Sequence, residues 1–284
     1  MCGIAGYFGP NKYSPTKLEI KNCINLMKRR GPDFQGIVEK KFDNFNMLML
    51  HSRLSIIDPS KNSNQPMEDE NGVLAFNGEI YNYIELKNKF KFNILKTQSD
   101  TEVLLKYLNQ RNNSNLQDLD GMWAYSFFNK KKKELFLSRD RFGEKPLYYY
   151  FDGVRFYYGS NINYIIALSK KKIIFNENKI SSFLTHGFRS LCVNNDTFFK
   201  DIKMISASTI LSINQKLKIK IKPYWKPENT FKKSDLSYDE ATLLTKEKIR
   251  NVFMKRFRSD YPMACLLSGG VDSSSIAAVA KTFK

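Results

Sequence analysis

Apolar and polar residues alternate along this chain in two rhythms, one suited to strands and one to helices. The residues that follow Met1, Cys2-Gly3-Ile4-Ala5-Gly6-Tyr7-Phe8, are small and apolar and read as a short strand. Ser14-Pro15 then offers an N-cap serine and a first-turn proline. In the helix they open, Ile20, Cys23, Ile24 and Met27 share one face, so Cys23 belongs to the core. Gly31-Pro32 stops that helix. Residues 47–57 have strand character, interrupted by His51 and Arg53, and 73–76 form a second short strand that ends in Asn77-Gly78-Glu79. Ser99-x-x-Glu102 reads as a capping box heading a helix that carries Val103, Leu104, Tyr107 and Leu108. Segments 123–128 and 134–138 make a hairpin turned by the lysine-rich stretch 129–133, and strand signals continue over 148–158.

The pattern changes over 222–240. Lys222-Pro223-Tyr224-Trp225-Lys226-Pro227 is proline-punctuated and polar, as linkers are. A helix over 238–254 follows, then an apolar strand over 263–267, a glycine turn, and another helix from Ser273. The expected division is a large module over 2–205, terminal strands and linker over 206–237, and a short second module over 238–284.

Composition narrows the class. A chain of 284 residues is a soft prior for two domains, and 42% hydrophobic content with 14% aromatics supports a real core and excludes global disorder. No apolar run approaches the roughly 18 residues that a membrane-spanning helix needs. The N-terminus lacks the basic leader and apolar stretch of a secretory signal. Cys2, Cys23, Cys192 and Cys265 lie far apart, which excludes a zinc knuckle and argues against a disulfide framework. A reduced, cytoplasmic protein without a metal site is expected. The net charge of +18 is mostly lysine in scattered clusters, with no arginine-faced helix and no RNA-binding signature. It reads as solvated surface, without a specific nucleic-acid or membrane partner.

Candidate chemistry begins at position two. Once the initiator methionine is removed, Cys2 carries both a thiol and an α-amine whose ordinary pKa is about 7.7–8.0. That amine can take the thiol proton, so one residue supplies nucleophile and base. Ordered motifs follow: Cys2-Gly3-Ile4-Ala5-Gly6, Arg29-Arg30-Gly31-Pro32-Asp33, His51-Ser52-Arg53-Leu54-Ser55-Ile56-Ile57-Asp58, Asn77-Gly78-Glu79-Ile80-Tyr81-Asn82, Ser99-Asp100-Thr101-Glu102, Asp120-Gly121-Met122-Trp123-Ala124 and 139–149 with Arg139-Asp140-Arg141-Phe142-Gly143-Glu144-Lys145. Over about 2–190 this series resembles the glutaminase domain of glutamine-hydrolysing asparagine synthetases, which are N-terminal-nucleophile amidotransferases.

The resemblance implies an α+β fold, a four-layer αββα sandwich of the N-terminal-nucleophile-hydrolase kind. It also implies glutamine hydrolysis by Cys2, with Asn77 and Gly78 as the oxyanion hole. Arg53 is the implied carboxylate clamp, and Leu54, Ile56, Ile57, Asn77, Gly78, Glu79 and Asp100 complete the glutamine site, with Glu79 and Asp100 facing the ammonium. His51 is read as a bystander and His186 as a loop residue, a Cys/His dyad being the minor alternative.

Leu266-Leu267-Ser268-Gly269-Gly270-Val271-Asp272-Ser273-Ser274 is the second constellation. Glycines and a helix N-terminus suit an anion, and the Walker A pattern is absent. The stretch resembles the SGGxDS loop of ATP pyrophosphatases. That implies Mg-ATP binding by Leu266, Ser268, Gly269, Gly270, Asp272 and Ser273, with Asp272 assigned either to ordering the loop or to assisting magnesium. Glucosamine-6-phosphate synthase and phosphoribosyl-pyrophosphate amidotransferase resemble only the first half, and guanylate and NAD synthetases share only the loop. The pair implies asparagine synthesis from glutamine, aspartate and ATP, in a longer parent whose α/β parallel-sheet domain has only its start here, and the resemblance allows that parent to be a homodimer. This chain alone is then expected to hydrolyse glutamine without making asparagine. Two alternatives stand beside it: amidation of another carboxylate, such as a surface polysaccharide, and a degraded basic binding protein. The family's proline-glycine turn is replaced here by Lys203-Met204-Ile205-Ser206-Ala207-Ser208.

Overall fold

The computed structural model describes residues 1–111, 115–192, 194–229 and 235–282. Two antiparallel sheets of six strands form its centre. The first contains β1 (Gly3–Pro10), β2 (Phe34–Phe42), β3 (Phe45–Arg53), β8 (Tyr148–Phe151), β9 (Phe156–Gly159) and β10 (Ile202–Met204), in the order β10-β8-β9-β1-β3-β2. The second contains β4 (Met67–Glu68), β5 (Gly72–Ile80), β6 (Gly121–Asn129), β7 (Glu134–Arg139), β11 (Thr209–Asn214) and β12 (Ile219–Pro223), in the order β12-β11-β7-β6-β5-β4.

Strand parity builds the layers. Ile4 and Phe8 of β1 and Met47 and Met49 of β3 face Val73, Ala75, Ala124, Phe128, Leu135 and Leu137 across the gap between sheets. The alternate residues Ala5, Tyr7, Leu48 and Leu50 turn outward to α1 (Lys17–Met27) and α4 (Ile162–Ser169), against Cys23, Met27, Ile165 and Leu168. Leu74, Phe76, Trp123, Tyr125 and Phe127 turn the other way, to α2 (Tyr83–Lys89) and α3 (Asp100–Arg111). Both faces of each sheet are therefore apolar, as the period of two requires when helices cover both outer surfaces. The architecture is the expected αββα sandwich.

Several local expectations change. The first helix is capped by Thr16 rather than Ser14: Thr16 and Glu19 form a reciprocal capping box, and the Ser14 hydroxyl instead accepts from the Asn46 amide at 2.8 Å. Two satisfied backbone donors outweigh the one a lone serine could satisfy. At α3 the reverse holds. Glu102 turns away from Ser99 to accept from the Lys96 and Thr97 amides, while the Ser99 hydroxyl accepts from Thr101 N–H at 3.1 Å. Strand β5 does not end before Asn77 but runs on to Ile80, because Gly78 and Glu79 continue the pairing with Trp123 and Met122. Where the family's proline-glycine turn is missing, Ser208 adopts φ +51° and bonds through its hydroxyl to the Trp225 carbonyl at 2.8 Å.

Beyond the sandwich lie α5 (Glu177–His186), α6 (Tyr238–Arg256) and α7 (Val271–Lys281). The strand expected over 263–267 is not formed. That stretch is irregular, with Leu266 and Leu267 95% and 65% exposed. A parallel strand needs hydrogen-bonding neighbours, and none lies beside it among the described residues.

One carboxylate organises the corner below the site. Asp140, fully buried, accepts from the amides of Trp123, Phe142, Glu144 and Lys145 at 2.9–3.2 Å. Its neighbour Arg139 donates to the carbonyls of Lys145, Ile205 and Gly143. Asp140→Ala strands those amides and leaves Arg139 without its nearest anion. The expected loss is about 3 kcal/mol, a charged-acceptor hydrogen bond counting ~1.5–3. Urea unfolding checks it, and a loss below about 0.5 kcal/mol would remove Asp140 from this role.

Candidate active site

The start of β1 and the end of β5 meet at one pocket. Its walls include Cys2, Arg53, Leu54, Ile56, Ile57, Asn77, Gly78, Glu79 and Asp100, so all the residues expected to handle glutamine are gathered in one place. β1 brings Cys2 because its Gly3 pairs with Ser52 of β3, whose next residue is Arg53. The Cys2 thiol donates to the Leu54 carbonyl at 3.5 Å, and the Leu54 amide donates back to the sulfur at 3.4 Å. Burial pushes the thiol pKa up, and the Leu54 N–H partly offsets that. Met1 is still attached. Its ammonium donates to the Arg30 carbonyl at 3.1 Å, and burial lowers its pKa, as do the charges of Arg30 and Lys145.

The edge of β5 shapes the other wall. β4 covers only Val73 and Leu74, leaving the later residues of β5 without a strand on that side. Trp123 turns its N–H and C=O toward Asp140, so its partner Gly78 must aim its own N–H at the open edge. Phe76 and Ile80 share that parity. Their amides are taken by the Gln65 side chain at 2.7 Å and the Asp100 carboxylate at 2.9 Å. The Gly78 N–H lies between them, and among the described residues no side chain accepts from it. Asn77, 1% exposed, has no hydrogen-bond partner for its side-chain NH₂ among the described residues. Two donors in a buried cleft therefore await an acceptor. A Cβ at Gly78 would lie 2.0 Å from the Met122 carbonyl oxygen, so only glycine fits there.

Two carboxylates supply the pocket's negative side. Burial raises Glu79 to about 7, helped by Asp100 and opposed by Lys145. Burial likewise raises Asp100 to about 6, against the hydrogen bonds from Ile80, Thr101 and Ser99. The positive side differs from expectation. Arg53 does not present a free bidentate fork: it donates to the carbonyls of Ser60, Ile57 and Asp58 and to the Asn64 side chain, leaving Nε as its open donor. The loop acceptors occupy both terminal nitrogens, so no free two-pronged fork is presented to a carboxylate. Arg53 here builds the loop that carries Leu54, Ile56 and Ile57.

Some pocket residues were not foreseen. Lys145, 8% exposed, reaches the pocket and lies 3.7 Å from the Met1 sulfur. Its motif was legible, but nothing in the sequence says that the turn around Asp140 aims this lysine inward. Gln65 likewise gave no signal. His51 is no free bystander: its Nε2 meets the Phe76 carbonyl at 3.0 Å, and burial pushes its pKa down to about 3. It is a neutral tie between the sheets, one residue from Asn77. His186 is exposed on α5.

The residues expected to hold ATP lie elsewhere, in an exposed loop. Ser268 and Ser273 hydroxyls are 3.0 Å apart, Gly269 has φ +83°, and Gly270 is the N-cap of α7, which has no side-chain cap bond. Uncapped helix amides, a left-handed glycine and hydroxyl donors fit a polyphosphate. Asp272 sits in the first turn of α7.

Comparison with known proteins gives this fold and pocket a family. Residues 1–225 match the glutamine amidotransferase domain family, to which the chain belongs, and 245–284 match the asparagine synthase family. The chain is 34% identical over 305 residues to a Methanocaldococcus jannaschii protein named "Putative asparagine synthetase (glutamine-hydrolyzing) 2", covering 100% of this chain and 57% of that one. It is 32% identical over 290 residues to asparagine synthetase (glutamine-hydrolyzing) 1 of Bacillus subtilis, covering 100% and 44%. The chain thus spans about half the length of the curated relatives it matches. Among solved structures it resembles the glutamine phosphoribosylpyrophosphate amidotransferase of B. subtilis, with TM-score 0.55, 17% identity, and 79% of this chain and 49% of that one covered. That likeness is one of fold.

The raised carboxylates set a pH dependence. For a ligand whose ammonium faces these carboxylates, the charged forms bind better, so affinity would be full well above 7 and would fall as Glu79 and then Asp100 take up protons. KM for glutamine should therefore climb on the order of tenfold between about pH 8 and 5.5, one pKa unit being worth about 1.4 kcal/mol. Glu79→Gln should flatten the upper part of that profile. A KM that is flat with pH in the unmodified protein would contradict the assignment.

Proposed function

We propose that this chain hydrolyses glutamine at Cys2 once Met1 has been removed. The observation that carries the reading is the unpartnered Asn77 side-chain NH₂, beside a Gly78 N–H that strand pairing turns to the open edge, in the pocket that holds the Cys2 thiol. The α-amine of Cys2 takes the thiol proton as sulfur attacks the side-chain carbonyl carbon of glutamine. The oxyanion that forms is stabilised by Asn77 and Gly78. The ammonium then returns the proton to the departing nitrogen, the C–N bond breaks, and ammonia leaves. Water attacks the remaining thioester, giving glutamate and the free thiol. Glu79 and Asp100 face the substrate ammonium, and the open Arg53 Nε and Lys145 are the cations left for its carboxylate. A nucleophilic thiol must stay reduced, which accords with a cytoplasmic setting.

The wider reading is asparagine synthesis. It is supported by the match of 245–284 to the asparagine synthase family and by the names of the relatives. ATP and Mg²⁺ would meet the loop through Leu266, Ser268, Gly269, Gly270, Asp272 and Ser273, and bound ATP supplies activation of a carboxylate, with aspartate as the proposed acceptor. The loop's own residues cradle phosphate oxygens and hold them at the start of α7. The proposed division is 2–205 for the glutaminase, 206–237 for terminal strands and linker, and 238–284 for the start of the ATP-binding module.

Ammonia release from glutamine by the whole chain tests the first step. Cys2→Ala should abolish it, and Asn77→Ala should lower kcat about 10²–10³-fold, as loss of one oxyanion donor does elsewhere. Full activity in Cys2→Ala would overturn the reading.

A further inference from the structure

The loop that forms one wall of the pocket is gripped from far along the chain. Residues 54–57 have no regular structure, yet Leu54, Ile56 and Ile57 line the pocket. Three holds come from the sandwich itself. Arg53 collects the carbonyls of Ile57, Asp58 and Ser60, Asp33 accepts from the Ser55 amide at 2.7 Å, and the Asp58 carboxylate accepts from the Ser60 amide, the Ser63 hydroxyl and the Gln98 amide. Those bonds outweigh burial and hold the Asp58 carboxyl down at about 2. Asp58 is thereby fixed at φ +49°, a conformation that few non-glycine residues adopt.

The fourth hold is Asp260. Its carboxylate accepts from the Asp58 amide at 2.6 Å, and its own amide donates to the Ile56 carbonyl at 3.0 Å. The two bonds bracket Ile57, and the one to Asp58 spans 202 positions of sequence. Asp260 is itself anchored by what precedes it. Arg258 makes a two-pronged ion pair with Glu85 at 2.7 Å and donates to the Tyr81 carbonyl at 2.7 Å. Arg256 lies over the Tyr81 ring, 4.6 Å from its centroid. From Asp260 the chain runs without regular structure into the phosphate loop at Ser268.

We infer that Asp260 is a positioning residue for glutamine, holding Ile56–Asp58 in the shape that closes the pocket around the substrate. It touches neither substrate nor thiol and acts through the Asp58 amide. The second module thus contributes to glutamine affinity, and the segment leading to the phosphate loop is the element through which it does so. The inference rests on the glutaminase reading and adds to it a determinant outside the glutaminase domain.

The test uses the whole chain with Asp260→Ala, Asp260→Asn and Arg258→Ala. Alanine removes the acceptor for the Asp58 amide, a charge-assisted bond whose loss corresponds to about tenfold in affinity. KM for glutamine should rise about tenfold in Asp260→Ala, with kcat within about twofold and thermal unfolding unchanged. Asparagine keeps an acceptor oxygen and should restore most of the loss, while Arg258→Ala should move KM in the same direction. Hydrogen exchange of the peptide containing residues 56–60 should quicken in Asp260→Ala. A KM within twofold of the unmodified protein overturns the inference, whether or not exchange changes. An unmodified chain that releases no ammonia overturns the glutaminase reading instead, and unchanged exchange over 56–60 then still overturns the grip of Asp260 on the loop.

Discussion

Everything at the pocket depends on the unfinished edge of β5. A neighbouring strand along its whole length would consume the backbone donors of residues 76, 78 and 80. β4 is only two residues long, so those donors need other partners. Gln65 and Asp100 take the outer two, and both line the pocket. The middle one, on half-buried Gly78, has no side-chain acceptor among the described residues. A polar group without a partner in a cleft costs stability, and its place beside a second orphan, the Asn77 amide, is the feature on which the proposed oxyanion role rests.

The sandwich explains how that edge comes to face a thiol. β1 and β5 belong to different sheets, and their inward residues Ile4, Val73 and Ala75 pack into one core. Close packing between sheets leaves little room for relative sliding, and His51 adds a hydrogen bond from β3 to the Phe76 carbonyl. Cys2, at the beginning of β1, therefore stays in register with Asn77 and Gly78. The turn around Asp140 delivers Lys145 from below, and Asp260 steadies the wall from outside.

Much of this was legible in the chain. Short apolar runs at β1, β5, β6 and β7 marked strands, and the ordered motifs around Cys2, Asn77 and Asp100 pointed to the fold and to the pocket's members. Less legible were features set by competition between partners. Thr16 displaced Ser14 as a cap because Glu19 stood three residues on, and Glu102 abandoned Ser99 for two other amides. Arg53 commits both terminal nitrogens to its own loop, which no motif could reveal, since the carbonyls of Ile57, Asp58 and Ser60 look like any others in sequence. The segment 263–267 reads as a strand by composition but lacks the neighbours that would make it one. Lys145, Gln65 and Asp260 acquire their roles only through contacts between distant parts of the chain, which no local pattern encodes.

The central claim is that the α-amine of Cys2 is the base for its own thiol, which requires that Met1 be absent. Rapid-quench intact-protein mass spectrometry with glutamine tests this most directly, on protein with and without Met1. The account predicts a γ-glutamyl thioester on Cys2 only in the chain that begins at Cys2. An adduct forming at equal rate on Cys2 in protein that retains Met1 would contradict it.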